Sequence, residues 1–177
     1  MKGALAMSIE YGFSFSNDKC TQCFGCEVAC KNWRDGELGV RWRRVYKIWA
    51  GRYPEVKLAS VSVSCMHCVD PVCVKTCPVQ AIQKRPDDGI VVVDKGKCIG
   101  RKSCEKECPF GAPQFGADGK MQKCDLCLSQ VELGKESPPC VETCPTKALQ
   151  LSKLETKEKG TIENAIQKLV EGAASTR

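Results

Sequence analysis

Histidine is almost absent from this 177-residue chain, occurring once, at His67. Nothing in the sequence resembles a nucleophile with its base, a phosphate-binding loop or a paired-carboxylate site, which points away from catalysis by the chain's own side chains. No apolar stretch is long enough to span a bilayer, so no direct membrane span is expected. The opening segment has neither an apolar signal core nor a paired-arginine export signal. An odd number of cysteines would also be awkward for a disulfide-built secreted protein. The expectation is a reducing cytoplasm, left only in the company of a folded partner that carries a signal of its own.

Cysteine is what the chain has in excess. Its 15 cysteines fall into four ordered runs. The clearest is Cys65-Met66-His67-Cys68, continuing to Cys73 and then Cys77-Pro78. Three close cysteines, then one that precedes proline, is the ferredoxin way of feeding two iron-sulfur clusters from one segment. Proline stops the short helical turn, so the last sulfur faces a different cluster from the first three. Cys20, Cys23, Cys26 and Cys30 form the first run, Cys98, Cys104 and Cys108-Pro109 the third, and Cys124, Cys127, Cys140 and Cys144-Pro145 the fourth. Cys30 is followed by Lys31 and lacks the proline of the others.

Clusters replace much of an ordinary core here. A chain of this length has a radius of gyration of roughly 16 Å, which makes several enclosed clusters near neighbours and electron transfer between them a consequence of size. The formal charge of +6 invites a nucleic-acid reading, but it counts every cysteine as neutral. With all thiolates bound to four oxidised cubes the total falls to about −1, which removes most of that case.

In chain order, residues 1–18 read as a lead-in with an edge strand from Ser8 to Phe15, where Ile9, Tyr11, Phe13 and Phe15 share a face. Residues 39–64 read as a hairpin: Val40 to Ala50 extended, a turn at Gly51 to Pro54, then Val56 to Val63 extended. Its basic, aromatic stretch from Arg41 to Trp49 reads as a strand with Trp42, Tyr46 and Ile48 packed, its cations solvated or facing cluster charge. Strands are expected at Ala81-Ile82 and at Ile90 to Val93, between cluster loops. Cys144-Pro145-Thr146-Lys147-Ala148-Leu149 echoes Cys77-Pro78-Val79-Gln80-Ala81-Ile82, which suggests a duplicated module. Ser152 to Gly160 reads as a charged linker. Beyond it, Thr161 caps a helix with Ile162, Ile166, Leu169 and Val170 on one face, docked on the body of the chain or on a partner.

The fold class expected is therefore α+β: tandem two-cluster ferredoxin-like modules with an inserted hairpin and a C-terminal helix. One module takes residues 1–64 and 114–150, the other 65–113, and 151–177 are linker and helix.

Between Cys20 and Leu149 the runs resemble the ferredoxin-type electron-transfer subunits of molybdenum and tungsten bis-pterin oxidoreductases, the beta subunits of the DMSO reductase family. They are also similar to the small iron-sulfur subunits of aldehyde-oxidoreductase-type tungsten enzymes, including tungsten-dependent benzoyl-CoA reductases. The match includes Cys65-Met66-His67-Cys68-Val69-Asp70-Pro71-Val72-Cys73, Cys98-Ile99-Gly100, Cys108-Pro109-Phe110-Gly111-Ala112-Pro113 and Lys123-Cys124-Asp125.

The resemblance implies three 4Fe-4S clusters: one on Cys20, Cys23, Cys26 and Cys144, a second on Cys124, Cys127, Cys140 and Cys30, a third on Cys65, Cys68, Cys73 and Cys108. A fourth site keeps Cys98, Cys104 and Cys77 but has Arg101 where the family usually has cysteine. Arginine keeps its proton and is no ligand. A 3Fe-4S cluster, a 4Fe-4S cluster with a non-cysteine ligand and an empty site all remain open, and relatives favour the three-iron form. His67 reads as a neighbour that tunes the third cluster, not as a ligand, because that site already has four thiolates. Gly111, Ala112 and Pro113 read as structural, and Asp125 as a turn or supporting group.

The implied function is an electron relay to or from a larger tungsten or molybdenum bis-pterin catalytic subunit, with a tungsten aldehyde-oxidoreductase-type partner slightly favoured. A further redox subunit or ferredoxin is the other electron partner. The chain is not an enzyme by itself. The alternatives are a free-standing polyferredoxin and a zinc module binding nucleic acid, the latter disfavoured because zinc sites use self-contained ligand sets.

Overall fold

The computed structural model describes residues 9–127 and 137–174. It consists of short strands and short helices threaded between cysteine loops, in agreement with the α+β expectation. Among the described residues eight strands pair two by two, all antiparallel: β1 (Ile9–Phe15) with β8 (Leu149–Glu155), β2 (Arg44–Arg52) with β3 (Glu55–Val63), β4 (Ile82–Lys84) with β5 (Val91–Val93), and β6 (Gln114–Phe115) with β7 (Met121–Gln122).

The helices are set by the cysteine spacing. In α1 (Gly25–Trp33), α2 (Val72–Lys75) and α4 (Pro139–Glu142) the second residue is the third cysteine of a run, and in α3 (Ser103–Lys106) it is Cys104, the second cysteine of the run that has Arg101 in place of one. After α2, α3 and α4 comes the Cys-Pro pair, and the residue three past each of those cysteines has positive φ: Gln80 at 49°, Gly111 at 58° and Lys147 at 52°. Proline ends the helix and the left-handed residue turns the backbone underneath the sulfur. Without that proline, Cys30 stays inside α1, which runs on to Trp33.

The hairpin forms, but its first strand begins at Arg44 instead of Val40 and continues to Arg52, with Trp49 opposite Leu58 and Arg44 opposite Val63. Its base is buried and its tip is not: Val61 is fully buried, whereas Trp49, Tyr53 and Val56 are exposed. Trp42, Tyr46 and Ile48 pack on the core with Phe13, Phe110, Leu126 and Leu149.

The C-terminal segment differs from expectation. The stretch read as a linker is the end of β8 and the first turn of α5 (Thr156–Ala174), so the helix begins before Thr161. Lys153 and Glu155 hid the strand, since a two-stranded edge tolerates solvated charge on its outer face. The helix docks on its own body. Ile166 is buried, Ile162 packs on the core and Glu163 accepts a hydrogen bond from the Val69 amide. Ser8 and the Val170 side chain lie outside the described residues.

Candidate metal centre

All four expected groupings come together in space. Cys20, Cys23, Cys26 and Cys144 line one cavity, closed by Phe15 and Phe24. Cys65, Cys68, Cys73 and Cys108 line another, with Phe110 and Lys123. Cys77, Cys98 and Cys104 line a third, whose wall includes Arg101, Phe115 and Met121. Cys30 is surrounded by Cys124, Cys140 and Cys127. Each group draws cysteines from two runs far apart in sequence.

Burial first, then neighbouring thiols, pushes up the thiol pKa of several of these cysteines, Cys30 and Cys73 among them. The Cys73 thiol is pushed up to about 12, and Cys104 to about 11. Burial raises Cys127 to about 11 against the pull of Arg34. Ligation must therefore expel protons, and metal affinity falls as pH falls. Cys144 is the opposite case: burial raises its pKa, but amides of Leu149, Ala148 and Thr146 together with the Thr146 hydroxyl outweigh it and hold the thiol below its ordinary range.

Backbone supplies such donors elsewhere. The Ala81 amide donates to Cys77 Sγ at 3.3 Å, and the Met121 amide to Cys98 Sγ at 3.3 Å. Ala81 follows the left-handed Gln80, so the strained turn aims its N–H at sulfur. N–H donors on sulfur stabilise a reduced cluster and raise its potential.

The donor set fits iron-sulfur clusters. Among the described residues no three His, Cys, Asp or Glu side chains converge as a single-ion site requires. The thiols instead ring a shared cavity, which suits an inorganic core that brings its own sulfide.

Three buried or half-buried cations face these sulfurs. Arg43 is buried, and Lys123 is buried against the cavity lined by Cys65, Cys68, Cys73 and Cys108. Arg34 pairs with Asp125, lies close enough to Cys127 to lower its pKa and stacks on Trp42 with its guanidinium carbon 5.0 Å from the ring centroid. The sequence left the cations of the hairpin stretch solvated or facing cluster charge, without setting Arg43 apart from its neighbours. The signal that could have separated it is Ser60, Ser62 and Ser64, an alternation of small hydroxyls on a strand whose other face is Val61 and Val63.

These thiol groupings and their amide donors are the setting for a comparison with known proteins. The family described as the 4Fe-4S dicluster domain matches residues 56–154. This protein belongs to the 4Fe-4S dicluster family. Among relatives, a probable anaerobic dimethyl sulfoxide reductase chain YnfG of Escherichia coli (strain K12) is 44% identical over 158 residues, covering 84% of this chain and 76% of that one. The B subunit of the anaerobic dimethyl sulfoxide reductase of the same organism is 42% identical over 158 residues, with the same coverage. A formate dehydrogenase iron-sulfur subunit of Wolinella succinogenes is 40% identical over 154 residues, 74% of this chain and 75% of that one. The resemblance to iron-sulfur subunits of bis-pterin oxidoreductases is thereby borne out. In this dicluster-family protein, no helix among the described residues is long and apolar enough to cross a membrane.

His67, the one histidine, is fully buried yet is not on the wall of the cavity lined by Cys65, Cys68, Cys73 and Cys108. Its Nδ1 accepts the Val91 amide at 2.9 Å, so Nε2 carries the proton and has no hydrogen-bond partner among the described residues. Burial, then Lys123, Lys159 and Lys84, holds its pKa well below the usual range, and the ring is neutral. Replacing His67 with alanine should leave iron content unchanged while lowering stability by about 1–3 kcal/mol, because a buried amide loses its acceptor. Iron analysis and denaturant melts check this. Lost iron would mean that the ring is a ligand.

Proposed function

We propose that this chain is the electron-transfer subunit of a complex whose catalytic subunit carries a molybdenum-type bis-pterin centre, and that electrons pass along its clusters one at a time. When bound, the clusters supply the one-electron chemistry; the chain spaces them, excludes water and donates hydrogen bonds to sulfur. The observation that carries this reading is four cysteine groups, each within electrostatic reach of the next. Cys26 feels Cys140, Cys124 feels Cys65, and Cys73 feels Cys104. These neighbour relations support a line of sites, first to fourth.

Ligands are proposed as the resemblance implied: Cys20, Cys23, Cys26 and Cys144; Cys124, Cys127, Cys140 and Cys30; Cys65, Cys68, Cys73 and Cys108; and Cys77, Cys98 and Cys104 beside Arg101. The two-module reading, residues 1–64 with 114–150 and residues 65–113, draws support from strand pairing. β1 and β8 bracket the first and fourth runs, and β4 and β5 lie between the second and third.

Dimethyl sulfoxide reductase subunits among the relatives favour a catalytic partner of that type. They lend no support to the lean toward a tungsten aldehyde oxidoreductase or a benzoyl-CoA reductase. A fixed partner, rather than the life of a free polyferredoxin, is supported by the hairpin tip, where Trp49, Val56 and Leu58 share an exposed face next to Tyr53. The C-terminal helix no longer serves that argument, since it docks at home. A cytoplasmic setting is part of the proposal.

Anaerobic native purification tests this reading. A much larger pterin-containing protein should co-purify, and a stable isolated monomer would argue for the free carrier. Iron on the isolated subunit should total about 15 atoms per chain for a three-iron fourth site, about 16 for a cube and about 12 for an empty one. We expect about 15, because Arg101 supplies no fourth ligand. A colourless protein with zinc in place of iron would restore the zinc reading.

A further inference from the structure

Arg43 sits just before β2, 1% exposed, with no carboxylate partner among the described residues. Its Nη1 donates to Ser62 Oγ at 3.1 Å, its Nη2 donates to Ser64 Oγ at 3.0 Å, and its guanidinium carbon lies 4.2 Å from the Phe13 ring centroid. A buried guanidinium without an anion costs several kcal/mol, so a structure that keeps one has negative charge close by. Here the charge is sulfur. Arg43 lies close to Cys140, Cys124, Cys26 and Cys30, which carry that charge once they bind iron as thiolates. Ser62 extends its reach: Oγ accepts from Arg43, which leaves the hydroxyl proton free for Cys26 Sγ, 3.4 Å away. Cys26 belongs to the first proposed site and Cys140 to the second.

We propose that Arg43 is a positioning residue that couples the first two cluster sites, acting on Cys140 directly and on Cys26 through Ser62, and that it raises the potential of both. The inference rests on the cluster-carrying reading above. Reducing a cluster adds one negative charge, and a fixed buried cation with donors on the sulfurs favours that state. Ser62 contributes only to the first site, because Arg43 reaches Cys140 without it.

The test is an anaerobic dithionite titration of the intact subunit with redox mediators, followed by electron paramagnetic resonance. Signals are assigned by comparison with Cys20→Ser and Cys127→Ser proteins. Arg43→Gln should weaken electron affinity of the first and second clusters by about tenfold each, equivalent to about 59 mV for a one-electron couple, with the other sites unmoved. Ser62→Ala should lower the first alone, and Arg43→Lys should recover much of the loss. Unmoved potentials in an iron-replete Arg43→Gln protein overturn the proposal. Should that variant lose iron, Ser62→Ala decides: a selective fall at the first cluster supports the coupling, and an unmoved first cluster sinks it. Failure of the underlying reading looks different, since wild-type protein would then contain no acid-labile sulfide.

Discussion

Glu10→Gln should cost the folded protein about 3–5 kcal/mol, a large share of a small domain's stability. Glu10 on β1 is 6% exposed and accepts from Lys159 Nζ at 2.9 Å and Lys84 Nζ at 2.7 Å. Lys159, on α5, is 1% exposed. The pair holds the C-terminal helix to the first strand. The amide keeps the shape and removes the charge, leaving an ammonium buried with no anion. Gly89 belongs to the same arrangement: at φ +70°, a Cβ there would stand 2.5 Å from Glu10 Cδ. Urea melts of the iron-replete protein measure the loss, and Glu10→Gln combined with Lys159→Met should recover much of it. A loss below about 1 kcal/mol would mean that water screens the pair as at a surface.

The same carboxylate predicts an acid limb. Burial alone would raise the Glu10 pKa, but the hydrogen bonds and charges of Lys84 and Lys159 outweigh it, and the folded value lies below 4.5. A depressed carboxylate contributes stability that is complete above its unfolded pKa and is lost as pH falls through the folded one. The gap between wild type and Glu10→Gln should be full at neutral pH and shrink once pH drops below 4.5.

The cysteine runs were legible because chemistry constrains their spacing, and the hairpin because Trp42, Tyr46 and Ile48 alternate with polar neighbours as a two-faced strand requires. Strand β8 was not: its burial pattern is weak, and its partner β1 lies at the far end of the chain, a pairing no local signal announces. The buried charges escaped for a related reason. Glu10, Arg43, Lys123 and Lys159 are residue types that normally stay solvated, so a single sequence gives no reason to place them inside. Their positions follow from what they face, sulfur for Arg43 and Lys123, each other for Glu10 and Lys159. The first run's missing proline was visible as a departure, but its meaning, a helix that continues past Cys30, needed the structure.

Cys124→Ser should remove about four iron atoms per chain and bring electron delivery through the complex down to background. Cys124 is buried among Cys30, Cys127 and Cys140, and it is the sulfur of that group that feels Cys65 of the next. A hydroxyl is a poor substitute for a thiolate on iron, so the second cluster is the one lost. In the proposed line that cluster is internal: the first remains in contact with one side of the complex, the third and fourth with the other, and nothing bridges them. A terminal variant, Cys104→Ser, provides the contrast. It should disturb only the fourth site, leaving the first three clusters reducible from the first-site end while delivery past the fourth is impaired. Iron analysis and turnover of the purified complex separate the two claims. Full iron in Cys124→Ser would refute the ligand set, whereas iron loss with undiminished turnover would refute the order of the line and leave the ligands standing.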